Sequence, residues 1–424
     1  MFLVYSVVLH LLFPLIMVGY LQRIRAGKER WALAGERFGM ATPSSPLASM
    51  VIWVHAVSVG EVVAAKPILD ELRKVYPGAH IVLSTTTLTG REVALQVTVV
   101  DRVIQFPMDF NVCVWAALKR VRPNVILLIE AELWPAFIGT AHRLHIPVAV
   151  VNGRLSDKKL TTWIRYRRLL SPAVQGVSRF LMQSEQDADR VRQLGANPGT
   201  VQVIGNTKFD ASSQVLTSLQ RRALRQELGI PQAARVVILG STREDRKGGL
   251  SEEEQLIPTL LAMREVDPSL HVIVAQRHIE RVDVITALVP GAARRSRGEH
   301  GWFLILDTFG ELADAYAAAD VAFIGGSLVA WGGQSVFQPL AQGIPCCFGP
   351  HMDNQKDIAQ LALRAGVAVE VPDAEGFRVY IDRILNASDD SKRDHSARAI
   401  ALIKANQGVS QKIVHAVQEM LENN

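Results

Sequence analysis

From Val51 to His55 the chain reads V-I-W-V-H, an unbroken apolar and aromatic run. After Ser58-Val59-Gly60-Glu61, apolar positions recur three and four residues apart as far as Leu72. The first pattern predicts a buried strand and the second an amphipathic helix, so the stretch reads as strand, tight turn, helix. In open α/β folds such a turn lies at the carboxyl edge of the sheet, where ligands bind. The helix start adds free N–H groups and a partial positive charge. Glu61 therefore sits in a position suited to chemistry. Ser58-x-x-Glu61 equally matches a capping box, in which both side chains only satisfy backbone donors.

The same alternation continues. Short apolar runs at Ile81–Ser84, Val103–Phe106, Val125–Ile129, Val148–Val151, Phe180–Gln183 and Val201–Ile204 are separated by amphipathic segments such as Phe110–Val121 and Trp134–Leu144. A second series follows at Val236–Leu239, His271–Ala275, Phe303–Leu306, Val321–Ile324, Pro345–Phe348 and Ala368–Val371. Strands alternating with helices predict parallel sheets with crossover connections, hence an α/β protein of two Rossmann-like halves. A length of 424 residues agrees, because single cores stop growing at roughly 250–300. The expected organisation is an anchor over 1–22, a first domain over 23–210, a linker over 211–232, a second domain over 233–386, and helices over 387–424 that could pack back on the first domain.

Phe2 to Leu21 carries no formal charge apart from a protonated His10, and Arg23, Arg25, Lys28 and Arg30 follow at once. The run approaches the roughly 20 apolar residues that span a bilayer, and the cations after it place the remainder on the cytoplasmic side. With Pro14 and His10 inside it, a monotopic anchor in the interface fits as well as a crossing helix. Arg154 to Leu170 is basic, with Trp163, Ile164, Tyr166 and Leu169 interleaved. It reads as an interfacial helix on anionic lipid or as a solvated helix with one buried stripe.

Composition changes little. The formal charge of +5 suits a phosphate-bearing partner or an anionic membrane face. The 49% hydrophobic content excludes disorder. Cys113, Cys346 and Cys347 form neither a disulfide framework nor metal-ligand spacing. Gly325-Gly326-Ser327 and Gly332-Gly333-Gln334-Ser335 both follow an apolar run, as turns that bring N–H groups close to a phosphate do.

Several motifs in fixed order make the chain resemble the 3-deoxy-D-manno-octulosonic acid (Kdo) transferases of lipopolysaccharide assembly. They are E-R-F-G at Glu36–Gly39, W-V-H-A-V-S-V-G-E at Trp53–Glu61, I-E-A-E-L-W-P at Ile129–Pro135, V-N-G-R-L-S at Val151–Ser156 and G-N-T-K-F-D at Gly205–Asp210. R-H-I-E-R at Arg277–Arg281, D-T-F-G-E-L at Asp307–Leu312, A-D-V-A-F-I-G-G-S-L at Ala319–Leu328 and G-P-H-M-D-N-Q-K-D-I at Gly349–Ile358 follow. The resemblance implies the GT-B fold with an N-terminal membrane anchor helix. It also implies inverting transfer of Kdo from CMP-Kdo to a lipid A precursor at the cytoplasmic face of the inner membrane.

By the same resemblance Glu61 is the general base, while Glu130 and Lys208 stabilise the transition state. Gln276, Arg277, Phe309, Gly310, Glu311, Ser335, Val336, Phe337 and Gln338 hold CMP; from the residues themselves, Gly325, Gly326 and Ser327 are donor-binding candidates whose turn suits the departing phosphate. Ser58, Gly60 and Arg154 are candidates for the acceptor. Inner-membrane lipid is the expected third partner; no metal, cofactor or nucleic acid is expected. A glutamate at a helix start should have a depressed pKa. Glu130 and Glu132 should share one side if their strand continues.

The chain departs from the family where G-G-H-N-P-L-E-P becomes Gly332-Gly333-Gln334-Ser335-Val336-Phe337-Gln338-Pro339, and where Gln276 and Ile279 replace prolines. A further departure, with an insertion, spans Arg243 to Glu254, where the family has H-x-G-E-E. These changes leave two alternatives open, a GT-B transferase with another sugar nucleotide and a non-catalytic membrane-anchored GT-B scaffold.

Overall fold

The computed structural model describes residues 5, 9, 11–27, 29–41, 50–130, 132–210 and 215–422. The chain forms two compact units, one of residues 1–211 and 406–424 and one of residues 212–405.

The first unit is built on a parallel sheet of β1 (Val51–His55), β2 (His80–Thr85), β3 (Arg102–Gln105), β4 (Val125–Ile129), β5 (Val148–Gly153), β6 (Arg179–Met182) and β7 (Val201–Val203), in the order β3-β2-β1-β4-β5-β6-β7. The apolar runs are continuous because both faces are covered. On one face Trp53, Ile126 and Leu128 pack with Phe106 and Phe137. On the other, Ile52, Val54 and Leu127 meet Ile68 and Leu69 of the Val59–Val75 helix. The strand order reverses between β1 and β4, so the segments after these two strands flank the point where a doubly wound sheet opens a crevice.

The second unit repeats this plan with β8 (Arg235–Thr242), β9 (Leu270–Gln276), β10 (Ala293–Arg294), β11 (Phe303–Ile305), β12 (Val321–Ile324), β13 (Cys346–Phe348) and β14 (Ala368–Glu370). Their order is β10-β11-β9-β8-β12-β13-β14, reversing between β8 and β12. Two parallel seven-stranded sheets of this kind are the α/β architecture that the alternation predicts.

The last two helices divide between the units. Asp389–Ala405 belongs to the second, whereas Val409–Glu422 buries Ile413, Val414 and Val417 in the first. Its start is fixed by Asp210, whose carboxylate accepts the N–H groups of Gly408 (2.7 Å) and Ser410 (2.6 Å). These are orphan donors of a helix N-terminus, and a carboxylate there also meets the positive end of the helix dipole.

The expected anchor lies partly outside the described residues. Within them Phe13–Arg25 is helical, about 20 Å long at 1.5 Å per residue, short of the roughly 30 Å hydrocarbon thickness. No helix among the described residues is long and apolar enough to cross a membrane. The Phe13–Arg25 helix lies against its own unit, with Phe13 edge-on to Phe110 at 5.3 Å and Tyr20 edge-on to Phe38 at 6.4 Å.

Candidate active site

The turn after β1 places Glu61 in the first turn of the Val59–Val75 helix. Its carboxylate folds back, accepting the Val57 N–H at 2.7 Å and the Ser58 hydroxyl at 3.3 Å. The capping box does not form, because the Ser58 oxygen accepts no backbone donor and Glu61 takes the Val57 N–H in place of that of Ser58. Gly60 is exposed and leaves the helix start uncovered. Burial pushes the Glu61 carboxyl up to about 7; the Val57 N–H opposes this, and the negative charges of Glu132 and Glu130 add to it. The depressed value expected for a helix start is corrected here. Desolvation and two like charges outweigh the helix dipole.

Glu130 differs from expectation in a second way. β4 stops at Ile129, and Glu130 takes a left-handed conformation with φ +59°, its N–H donating to Val151 O at 3.0 Å. The strand does not continue, so the alternation that would align Glu130 with Glu132 is absent. Non-glycine residues rarely hold such a conformation unless their surroundings enforce it, and such positions cluster at functional sites. Glu132 pairs with Lys159 at 3.4 Å. Burial raises its pKa while Lys159 opposes the rise. Glu132 thus has a structural partner, whereas the Glu130 side chain makes no hydrogen bond or ion pair among the described residues.

Lys208 is brought to these carboxylates by a short turn, Thr207–Phe209. Burial lowers its pKa, Glu130 pulls it back up, and Arg154 lowers it further. It is therefore a partly desolvated cation within the field of Glu130, not the surface lysine that its position in the sequence suggests. Arg154, directly after β5, makes no hydrogen bond or ion pair among the described residues.

Polar residues of β5 and of the segments after β6 and β7 hold this turn. Buried Asn152, with φ +51°, accepts the Thr207 N–H on its side-chain oxygen at 3.1 Å, and its backbone carbonyl accepts from the Gln183 amide at 2.9 Å. Gln183 in turn accepts from the Asn206 amide at 2.8 Å, and Asn206 accepts the Lys208 N–H at 3.0 Å. The Thr207 hydroxyl donates to Ala64 O, on the Glu61 helix, at 2.9 Å. One chain of polar contacts therefore ties Lys208 to the helix that carries Glu61. Asparagines at strand ends were the available signal, since they tolerate left-handed backbone and bond locally. His55 is fully buried, stacked on Phe106 at 3.7 Å and pushed down to about 3 by burial, so it is neutral at working pH.

In the second unit the two glycine turns part company. The N–H groups of Gly326 (2.6 Å), Ser327 (2.9 Å) and Leu328 (2.9 Å) all donate to the Glu252 carboxylate, which also accepts the Arg243 N–H at 3.0 Å. Gly325 N–H donates to Gly240 O at 2.8 Å, and a Cβ on Gly325 would lie 2.4 Å from Ser241 O. Gly325, Gly326 and Ser327 thus lock the ends of β8 and β12 together through a fully buried carboxylate, and their amides are not open to a phosphate. That corrects the expected cradle. Burial pushes Glu252 up to about 7 against the pull of its four amides.

The second turn keeps its donors. Gly332 and Gly333 have φ +85° and +76°, and the Gln334 and Ser335 N–H groups have no backbone partner among the described residues. The Ser335 hydroxyl and Gln338 amide are likewise unbonded there. Val336 and Phe337 are buried and contribute backbone and wall. Phe309 is 88% exposed beside Gly310, and Glu311 is held by Arg295 at 3.2 Å and by the Thr308 hydroxyl at 2.5 Å, contacts that lower its pKa. Gln276 is buried, with its amide donating to Arg281 O at 3.0 Å and Glu253 at 3.4 Å. Arg277 is exposed, and its guanidinium is unpaired among the described residues.

Residues 32–211 match a family model described as 3-deoxy-D-manno-octulosonic-acid transferase (kdotransferase). The chain is 34% identical to the 3-deoxy-D-manno-octulosonic acid transferase of Bordetella pertussis over 99% of each chain. It is 29% identical to that of Chlamydia pneumoniae over 85% of this chain and 83% of the relative. Among solved structures, UDP-GlcNAc 2-epimerase from Neisseria meningitidis superimposes with a TM-score of 0.60 at 14% identity, covering 88% of this chain and all of the other. The glycosyltransferase of kitacinnamycin does so at 0.54 and 15%, covering 90% and 100%. At such identities these two structures speak to the GT-B fold alone.

Proposed function

The chain belongs to the 3-deoxy-D-manno-octulosonic acid (Kdo) transferase family, and on that premise we propose that it moves Kdo from CMP-Kdo to a lipid A precursor with inversion at the anomeric carbon. It is a glycosyltransferase of lipopolysaccharide core assembly. The observation that carries the mechanism is the Glu61 carboxyl, raised to about 7 at the uncovered start of a helix.

In the proposed reaction Glu61 takes the proton of the acceptor hydroxyl as its oxygen bonds to the anomeric carbon. The bond from that carbon to the CMP phosphate oxygen breaks, and its electron pair leaves with CMP. A carboxylate near 7 is a better base than an ordinary one at neutral pH, since general-base efficiency peaks when pKa and working pH meet. Glu130, unpaired and re-aimed by its left-handed backbone, faces the cationic sugar of the transition state, and Lys208 balances the carboxylates when no cationic sugar is present. Arg154 is the candidate for an acceptor anion, with Ser58 and Gly60 beside the attacking hydroxyl. For CMP, Arg277 and the open Ser335–Gln338 turn take the phosphate and ribose. A glutamine at 338 offers the ribose one acceptor oxygen where a carboxylate offers two. Gln276 and Glu311 support this surface from behind through Glu253 and Arg295. Incubating the protein with a CMP-Kdo generating system and a lipid A precursor should yield product heavier by whole Kdo residues. An unchanged acceptor mass with active generating enzyme would refute the reading.

We further read the N-terminal helix as lying in the membrane interface at the cytoplasmic face of the inner membrane. Supporting this, the helix exposes Leu15 and Val18, and Arg23 and Arg25 follow; apolar stripes flanked by cations bind anionic bilayers. Ile164 and Tyr166 are exposed on the basic segment of the same unit, while Leu160 and Trp163 pack on its core. The protein should float with vesicles containing anionic lipid, and a Leu15→Glu, Val18→Glu variant should not. Equal flotation of both proteins would contradict the reading.

A further inference from the structure

The segment that departs most from the family, beginning at Arg243, builds something the transfer reaction above does not use. Arg243 and Arg246 lie over the ring of Trp331 with their guanidinium carbons 3.9 and 3.7 Å from its centroid. Two guanidinium carbons this close to one centroid cannot share a face without clashing, so the indole is sandwiched between two cations. Trp331 is itself fixed, its indole N–H donating to Glu244 O at 2.7 Å and its carbonyl accepting from the Asn354 amide at 2.9 Å.

Among the described residues none of the three guanidinium groups is paired with a carboxylate. Arg246 and Arg277 make no side-chain hydrogen bond or ion pair among the described residues. Arg243 donates to a ring nitrogen of His278 at 3.2 Å, and its Nε is buried without a partner. Of the acids near Arg243, Glu244 pairs with Arg281 at 3.2 Å, and the Glu252 carboxylate is taken up by four backbone N–H groups, that of Arg243 among them. Burial lowers the basicity of Arg243, Glu244 and Glu252 oppose this, and the charges of Arg277 and Arg246 add to it, so Arg243 lies within the field of both other guanidinium groups. Like charges gathered on a rigid aromatic plate, with planar N–H edges unspent, are unfavourable until an anion joins them.

We propose that Arg243 and Arg246, clamped on the two faces of Trp331, form a second anion site beside Arg277 that takes a carboxylate or phosphate other than the nucleotide's own phosphate. The inference rests on the Kdo-transfer reading. There the source is either the sugar-acid carboxylate of the donor or a phosphate on the acceptor, and the guanidinium forks suit both.

Arg246→Ala tests this, because Arg246 is exposed and its removal leaves no buried gap. With donor and acceptor varied in turn, KM for one of them should rise about tenfold, as loss of a charge-assisted contact at an exposed site predicts. The Ki for CMP should stay within twofold, and Arg246→Lys should recover only part of the loss. A rise in donor KM identifies the sugar carboxylate. A rise in acceptor KM that vanishes with a dephosphorylated acceptor identifies the acceptor phosphate. Trp331→Leu, which frees both guanidinium groups, should give the same pattern. Unchanged KM for both substrates, or a Ki for CMP that rises in parallel, would overturn the proposal. A wild-type protein that transfers no Kdo would instead refute the functional reading on which it rests.

Discussion

Glu61→Gln should lower Kdo transfer by at least about a hundredfold, the range that loss of a positioned general base produces, while leaving affinity for CMP unchanged. The substitution is nearly isosteric, and its remaining oxygen can still accept the Val57 N–H that Glu61 accepts at 2.7 Å. The helix start should therefore survive, and thermal stability should hold or rise, because a buried negative charge beside Glu130 and Glu132 is removed. Nucleotide affinity should not change, since the residues assigned to CMP belong to the other unit. Steady-state turnover and CMP titration of the same preparation separate the two effects. Residual activity within tenfold of wild type would remove Glu61 from the role of base.

Glu252→Ala should be the most damaging single change in the second unit. Its carboxylate is fully buried, and Oε1 accepts from Ser327 and Leu328 while Oε2 accepts from Gly326 and Arg243. Truncation strands four backbone donors. At about 1–3 kcal/mol for each buried unsatisfied group, partly relieved by entering water, the loss should be at least about 3 kcal/mol. For a unit the size of residues 212–405 that lowers the midpoint of its thermal unfolding by roughly 6–12 °C. Glu252→Gln should also destabilise, because its NH2 group would face two N–H donors. Calorimetry reads both variants, and a midpoint within 2 °C of wild type would show that the turn does not depend on Glu252.

Much of the fold was legible because it is written in local pattern. β1 and β4 are uninterrupted apolar runs, and a strand buried on both faces leaves that signature. The site was legible in its members and less so in their state. Helix position alone argued for a depressed Glu61, but its burial and the charges of Glu130 and Glu132 come from a strand end some 70 residues away in sequence, and they reverse the sign. The left-handed backbone of Glu130 is likewise imposed from β5 through Val151. At Gly325–Ser327 the composition signals an anion-binding turn, and the turn does bind an anion. That anion is Glu252, supplied by the chain itself from more than 70 positions upstream. A local motif reveals open amides, and only tertiary structure reveals what fills them. The Asp210 cap on the last helix, joining residues 198 positions apart, was hidden for the same reason.

The pH dependence of kcat/KM for Kdo transfer tests the central claim most directly. A carboxyl raised to about 7 is protonated, and useless as a base, below that pH, and it is ionised above it. The rate should climb about tenfold per pH unit through the acid range, bend near 7 and then level off. A profile already flat from pH 5 to 8, or one that falls as pH rises through 7, would contradict a base poised at Glu61.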